Sequence, residues 1–222
     1  MKIFKLENTD STNNYCKKLV SEIREDAVVI AKTQSGGHGT KGRSFSSCKG
    51  GVYLSKLAFY PCKAKDSFKL MIKSALAVVM TLKAFNVNAV IKWPNDVFVN
   101  GKKICGILIE NNFQGDEVFY SITGIGINVN NELPEGLSDI AVSVKQIVGE
   151  QNIDAVSSTL IYNLNRDYTV EEYKKYSCVL GKEITVIKGD KIFKALAADI
   201  TSDGRLVLDS GEELLAAEVS IR

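Results

Sequence analysis

The apolar positions of this 222-residue chain change period several times, and each change predicts an element. Residues 2–6 (KIFKL) alternate as in a short strand. Asp10 or Ser11 is placed to cap a helix running from Asn14 to Ile23, with Tyr15, Leu19 and Ile23 on one face. Residues 27–33 (AVVIAKT) are apolar enough for a strand buried on both sides, and a polar, glycine-bearing loop follows from Gln34 to Arg43. A strand is predicted over 51–59, then the longest helical pattern from Asp66 to Phe85, whose apolar face holds Leu70, Ile72, Leu76, Val79 and Leu82. Residues 89–93 (AVIKW) form a strand that Pro94 must stop. Asn100-Gly101, between VFV and KKICGILIEN, is a hairpin turn, because both central residues of the favoured two-residue turn need φ > 0. A further strand covers 117–129, a loop 131–138, and helical segments 139–148 and 153–176. After Cys178 short strands alternate with turns at Gly189, Gly204 and Gly211, which predicts a small SH3-like barrel packed on the rest. The expected architecture is α+β, with a boundary near Lys174–Ser177 that gives units of 1–177 and 178–222.

Composition narrows the chemistry. There are 28 basic and 26 acidic residues, net +2, and no block of like charge, so nothing marks a nucleic-acid arm or an acidic tail. His38 is the sole histidine, which excludes multi-histidine metal sites and leaves a Ser/His or Cys/His nucleophile one possible base. Five scattered cysteines with no CxxC pair argue against a disulfide framework or a zinc cage and suit a reducing cytoplasm. No apolar run reaches the ~18 residues of a membrane span, and the N-terminus has no signal-peptide core. A cytoplasmic protein with no membrane association is expected.

Five segments carry candidate chemistry. Gly36-Gly37-His38-Gly39-Thr40-Lys41-Gly42-Arg43 combines glycines, which let backbone N–H groups approach a ligand, with two cations, a profile suited to an anion such as phosphate. It lacks the GxxxxGK[ST] spacing of a Walker loop, and its GxGxxG match precedes a strand where a dinucleotide fold needs a helix. In Lys92-Trp93-Pro94-Asn95-Asp96, Pro94 ends a strand and throws Asn95 and Asp96 into a turn, where the carboxylate can meet a metal or ligand. Lys103, leading into the apolar run Ile104-Cys105-Gly106-Ile107-Leu108-Ile109 before Glu110, either points into a pocket or is solvated after the hairpin. Gly124-Ile125-Gly126-Ile127-Asn128 marks a close backbone approach beside an amide that can read a base edge. Asp10-Ser11-Thr12-Asn13 by itself is a helix cap.

In this order and spacing, DSTN, a Gln-led glycine/basic loop, KWPND, GKKxxGILxE, GxGxN and a small C-terminal β module together resemble the biotin protein ligases. The resemblance covers essentially the whole chain. It implies a mixed-sheet, class II synthetase-like catalytic domain with an SH3-like C-terminal domain. It also implies ATP and Mg²⁺ as cofactors, biotin as substrate, and a biotin carboxyl carrier protein or domain of acetyl-CoA carboxylase or a related carboxylase as partner. On that resemblance Ser11, Thr12 and Gln34 meet the ureido ring of biotin, with Asn13, Gly37, His38, Gly39, Thr40 and Gly106 around it. Lys103 reaches the biotin carboxylate and then the acyl-phosphate link. Asp96 supports Mg²⁺–phosphate binding or deprotonates the acceptor lysine. Arg43 and Lys41 meet the ATP phosphates, with Lys92 and Asn95 nearby, and Asn128 reads adenine. The implied catalytic set is Lys103, Asp96 and Arg43.

The chain departs from the family pattern at His38 and Thr40, where arginines are frequent, and at Phe45, where a tryptophan is common. Thr40 removes a charge and a long clamp, so weaker retention of biotinyl-5′-AMP is expected. Nine residues precede Asp10, so no DNA-binding domain and no repressor activity are expected. The rival readings are a lipoate or octanoate ligase or transferase of the same fold, whose arginine–glycine signature is absent, and a non-enzymatic biotin or nucleotide sensor. A monomer and a homodimer are equally compatible with the sequence.

Overall fold

The computed structural model describes residues 1–216 and 219–221, with the side chains of Lys41 and of 219–221 outside the described set. In chain order the first half comprises β1 (Lys2–Thr9), α1 (Thr12–Glu22), β2 (Ala27–Gln34), β3 (Val52–Phe59) and α2 (Phe68–Ala84). The strands β4 (Val90–Lys92), β5 (Asp96–Val99), β6 (Lys102–Gln114) and β7 (Glu117–Ile127) follow. Then come α3 (Val144–Val148), α4 (Ile153–Asn163) and α5 (Val170–Tyr176). The last strands are β8 (Glu183–Lys188), β9 (Lys191–Ile200), β10 (Leu206–Leu208), β11 (Glu213–Leu214) and β12 (Val219–Ile221).

Strands β1–β7 form one mixed sheet in the order β1-β2-β3-β7-β6-β5-β4. β1 and β2 are parallel, because α1 supplies the crossover that parallel neighbours need, and every other pair is antiparallel. Side chains alternate between the two faces. On β3, Leu57 joins Cys16 and Leu19 of α1 in one apolar cluster, while Leu54 joins Ala75, Leu76 and Val79 of α2 in the other. The sheet therefore carries α1 on one face and α2 with α4 on the opposite face. The mixed α+β class expected from the sequence is the one observed.

Several boundaries shift. The segment 139–148 is helical only from Val144, because Ser143 and Gln146 close a capping box that fixes the first turn there. The segment 153–176 is two helices. Asn152 caps α4, and a capping box of Thr169 with Glu172 starts α5 afresh. The strand expected to run to 129 ends at Ile127, where Asn131 turns back to accept from the Val129 N–H and to donate to Asn128 Oδ1. The helix expected from Asp66 begins at Phe68, after a single 3₁₀ turn over Ala64–Asp66.

The C-terminal strands form an antiparallel five-stranded sheet, β11-β10-β9-β8-β12, in keeping with a small SH3-like module, and no pairing closes it into a barrel among the described residues. Its apolar side chains Ile184, Val186, Ile200 and Leu206 belong to the same cluster as α2 and Trp93. Trp93 Nε1 donates to Gly204 O at 3.0 Å, and Tyr173 Oη donates to Pro94 O at 2.8 Å. Gly204 has φ +87° and lies so close to the Phe68 ring that a Cβ would overlap it, so only glycine fits this junction.

Candidate active site

The start of α1, the loop after β2, the start of β5, the first half of β6 and the end of β7 surround one cavity of about 110 Å³. Ser11, Thr12, Asn13, Gln34, His38, Gly39, Thr40, Arg43, Asn95, Asp96, Lys103 and Gly106 all line it. These twelve residues, from Ser11 to Gly106, meet only because the sheet order folds the β5–β6 hairpin back beside β7 and α1. Gly37, Lys92 and Asn128 are not in its lining. Gly37 is sealed under the loop, where a Cβ would press on Phe45 O and Ser47 Oγ. The Lys92 ammonium stands over the Phe98 ring, 5.4 Å from its centroid. Asn128 is buried with its amide oxygen engaged by Asn131 at 3.1 Å. The Lys41 side chain lies outside the described residues.

A hydrogen-bonded network underlies one wall. Glu110 Oε1 accepts from Lys17 Nζ at 2.7 Å and Oε2 from Asn13 Nδ2 at 2.8 Å. Ser55 Oγ lies 2.5 Å from Asn13 Oδ1 and 2.7 Å from Thr12 Oγ1. Gln34 Oε1 accepts from the Thr12 N–H at 2.7 Å and is 3.0 Å from Thr12 Oγ1, while Gln34 Nε2 donates to Ser47 Oγ at 2.8 Å. The directions are forced. Burial raises the Glu110 pKa, but the hydrogen bonds from Lys17 and Asn13 outweigh it and leave the net value lowered, so the group is an ionised acceptor at neutral pH. That fixes the Asn13 amide with its N–H toward Glu110 and its oxygen toward Ser55. The single Ser55 proton then goes to Asn13, and Thr12 spends its own proton inward, on Ser55 or Gln34. The Thr12 hydroxyl is left with lone pairs for a ligand N–H. Gly124 is required behind this wall, since a Cβ there would overlap the Asn13 amide. Ser11 is the N-cap of α1 but makes no side-chain capping bond, so its hydroxyl serves the cavity instead.

The opposite wall is charged. Lys103 Nζ pairs with Asp96 Oδ1 at 2.6 Å, both partly buried, so a lysine that the sequence left open to solvent points into the cavity. β5 and β6 pair antiparallel with a register shift, and Asp96 stands opposite Gly106. A Cβ on Gly106 would lie 3.2 Å from Lys103 Nζ and 3.3 Å from the Phe45 ring, so this glycine makes room for both. Asn95 Nδ2 donates to Ile107 O at 2.8 Å and pins the turn that presents Asp96. At the mouth, Arg43 donates from Nη2 to Thr40 Oγ1 at 2.8 Å and from Nε to Thr40 O at 3.2 Å, which folds the guanidinium back on its own loop. The Phe45 ring rests on Gly126, where no other residue leaves space. The sulfur chemistry is silent: burial pushes the Cys16 thiol up to about 12 and Cys105 further still, so neither is a thiolate nucleophile.

Sequence reasoning missed Ser55, Glu110 and Ser47 as parts of the site. Ser55 had one visible signal, a lone hydroxyl in the apolar strand VYLSKLAF. Glu110 had another, the first charge after ILI.

The comparisons with known proteins bear on the family and the fold. Residues 6–128 match the model of the Biotin/lipoate A/B protein ligase family, and residues 179–222 match that of the Biotin protein ligase C terminal domain. The chain is 32% identical over 204 residues to the Bifunctional ligase/repressor BirA of Bacillus subtilis, covering 85% of this chain and 63% of that relative, so the match spans less than two thirds of that relative's length. It is 35% identical over 128 residues to the Biotin--[acetyl-CoA-carboxylase] ligase of Paracoccus denitrificans, covering 56% of this chain and 53% of the relative. The structure superposes on the biotin protein ligase of Aquifex aeolicus in complex with biotin and ATP with a TM-score of 0.82 and 26% identity, over 100% of this chain and 98% of that one.

Proposed function

The chain belongs to the biotin/lipoate A/B protein ligase family, and from that premise we propose that it is an ATP-dependent biotin–protein ligase, which forms biotinyl-5′-AMP and transfers biotin to a lysine of a carboxyl carrier domain. The observation that carries this reading is one cavity with a neutral hydrogen-bonding wall (Ser11, Thr12, Gln34) facing a Lys103–Asp96 pair. A ureido ring offers N–H donors and a carbonyl. Thr12 lone pairs accept from the former, and the Ser11 hydroxyl donates to the latter. A carboxylate entering opposite displaces Asp96 as the partner of Lys103, which places the acid where its oxygen can attack the α-phosphorus of ATP. Pyrophosphate leaves, and Lys103 then faces the negative charge on the acyl-phosphate link.

Asp96, once released from Lys103, is the carboxylate available to the ATP phosphates. The donor set fits Mg²⁺ in one way: Asp96 is the single carboxylate in the lining, and Mg²⁺ commonly takes one or two carboxylates with the remainder from phosphate and water. When bound there it would neutralise phosphate charge. Arg43 at the mouth swings from Thr40 to the phosphates. In the second half-reaction the carrier amine attacks the mixed-anhydride carbonyl, its proton passing to Asp96 or to water, and AMP leaves. No enzyme nucleophile takes part, which suits a chain with one histidine and a cavity whose lining, among the described residues, holds no cysteine.

Two further readings belong to this proposal. Residues 178–222 act as a separate SH3-like domain on a catalytic unit of 1–177, supported by the separate sheet and the C-terminal family match. These 222 residues carry no repressor activity, supported by a net charge of +2, too small for the phosphate neutralisation that DNA binding needs. The acceptor is the carrier domain of acetyl-CoA carboxylase or a related carboxylase, in the cytoplasm.

The test is incubation with biotin, Mg-ATP and a carrier domain, with lipoate in a parallel reaction, followed by intact mass. A biotin-sized increase on the carrier in the biotin reaction alone is expected. An increase with lipoate, or none with biotin, overturns the proposal.

A further inference from the structure

On the face of the sheet away from the active cavity lies a second one of about 550 Å³, between β3, β7, α2 and the turn that joins α4 to α5. The volume falls in the range of small-molecule sites. The sheet alternation separates the two cavities: Gly124 lines the first, with Ser55 behind its wall, Lys56 and Thr123 line the second, and Lys56 stands directly opposite Thr123 in the β3–β7 pairing. Ala58 faces Ser121 one step further along, and its small side chain leaves the floor open.

The lining does not look like an apolar core. Ser121 is 2% exposed, yet its Oγ has no hydrogen-bond partner, and the Tyr168 Oη across the cavity has none either. A buried hydroxyl with nothing to bond costs more than the alanine or phenylalanine that would fill the same space, so both groups call for a ligand. Two ammonium groups join them. Lys56 Nζ donates to Asn165 Oδ1 at 2.9 Å and, at 3.5 Å, to Leu164 O; among the described residues Lys73 pairs with the fully exposed Asp167, at 3.3 Å. Burial first, and then the Lys73 charge, hold the Lys56 pKa below its usual value, against the opposing charge of Asp26. The one inner carboxylate, Asp26, is already taken up, accepting from the Phe59 N–H at 3.0 Å.

We propose that this second cavity binds a small oxyanion, a carboxylate or phosphate ester, held by the Lys56 and Lys73 ammonium groups and by the Ser121 and Tyr168 hydroxyls. The lining carboxylates Asp26 and Asp167 are engaged by the Phe59 N–H and by Lys73, and the hydroxyls and ammonium groups that remain can donate, which selects an acceptor group with full negative charge. None of these four residues lines the active cavity, so the two sites are distinct.

Calorimetric titration of the whole chain with citrate and, separately, with glycerol 3-phosphate at constant ionic strength tests this and tells the two sources apart. Saturable one-to-one binding of at least one probe is expected. Ser121→Ala and Tyr168→Phe each remove a single unpartnered oxygen, so both fold with unchanged or higher melting temperature and bind that probe about tenfold more weakly. Arg43→Ala, at the mouth of the other cavity, binds it unchanged. The proposal is overturned if neither probe binds saturably, if both hydroxyl variants bind like the parent, or if Arg43→Ala weakens binding as much as they do.

Discussion

Ser55→Ala probes the hydrogen-bond relay behind the active cavity. Ser55 is fully buried, and its hydroxyl proton is the single partner of Asn13 Oδ1 among the described residues. Alanine fits the space and leaves that amide oxygen buried without a donor. A stranded buried acceptor costs about 1–3 kcal/mol. Thr12 keeps its contact with Gln34, so no second group is stranded and the loss does not double. At a urea slope of about 2 kcal/mol per molar, the midpoint falls by about 0.5–1.5 M with the slope unchanged. The effect on ligand binding has a different size. Thr12 still turns its proton inward, so its lone pairs still face the cavity, and biotin affinity weakens by less than about tenfold, short of the loss expected for removing a direct partner. Urea unfolding followed by circular dichroism and biotin titration by calorimetry read the two quantities. A midpoint shift below about 0.3 M, under the smallest cost allowed for a stranded acceptor, would refute the relay. So would biotin binding abolished in a variant that remains folded, because Ser55 would then touch the ligand itself.

Three other expectations follow from the same geometry. Trp93→Phe strands Gly204 O and shortens the side chain that joins the main core to the C-terminal sheet, so stability falls by at least about 1–3 kcal/mol in urea unfolding; an unchanged midpoint would show that the junction carries no weight. The depressed Glu110 pKa means that its contribution to stability is fully present above its ordinary value of 4.5 and is lost as pH falls through the lower folded value. Glu110→Gln should therefore flatten part of the acid limb of a stability–pH curve below about 4.5, and superimposable curves would refute the assignment. Thr40→Arg adds a cation at the mouth and removes the hydroxyl that Arg43 Nη2 meets, so pre-formed biotinyl-5′-AMP leaves more slowly in a chase experiment; equal off-rates would sink the idea.

The sequence by itself determined the elements whose cause is local. The Asn100-Gly101 turn fixed the β5–β6 hairpin, and the apolar stripe from Leu70 to Leu82 fixed α2. The capping boxes Ser143–Gln146 and Thr169–Glu172 were legible too, and would have placed α3 and α5 correctly had the three-residue spacing been weighed above the longer helical pattern. The motif order also assembled most of the active cavity. What tertiary structure alone decided is direction and pairing. Whether Lys103 met solvent or Asp96 depended on the register of β5 against β6. Whether Asn13 faced a ligand or the relay depended on Glu110, ninety-seven positions away, and on Ser55 between them. A strand's period of two tells which residues share a face, but which of two faces becomes the site is set by what packs against each. The same alternation that sent Ser55 behind the wall of the active cavity sent Lys56 to the second one, and no local pattern distinguishes them.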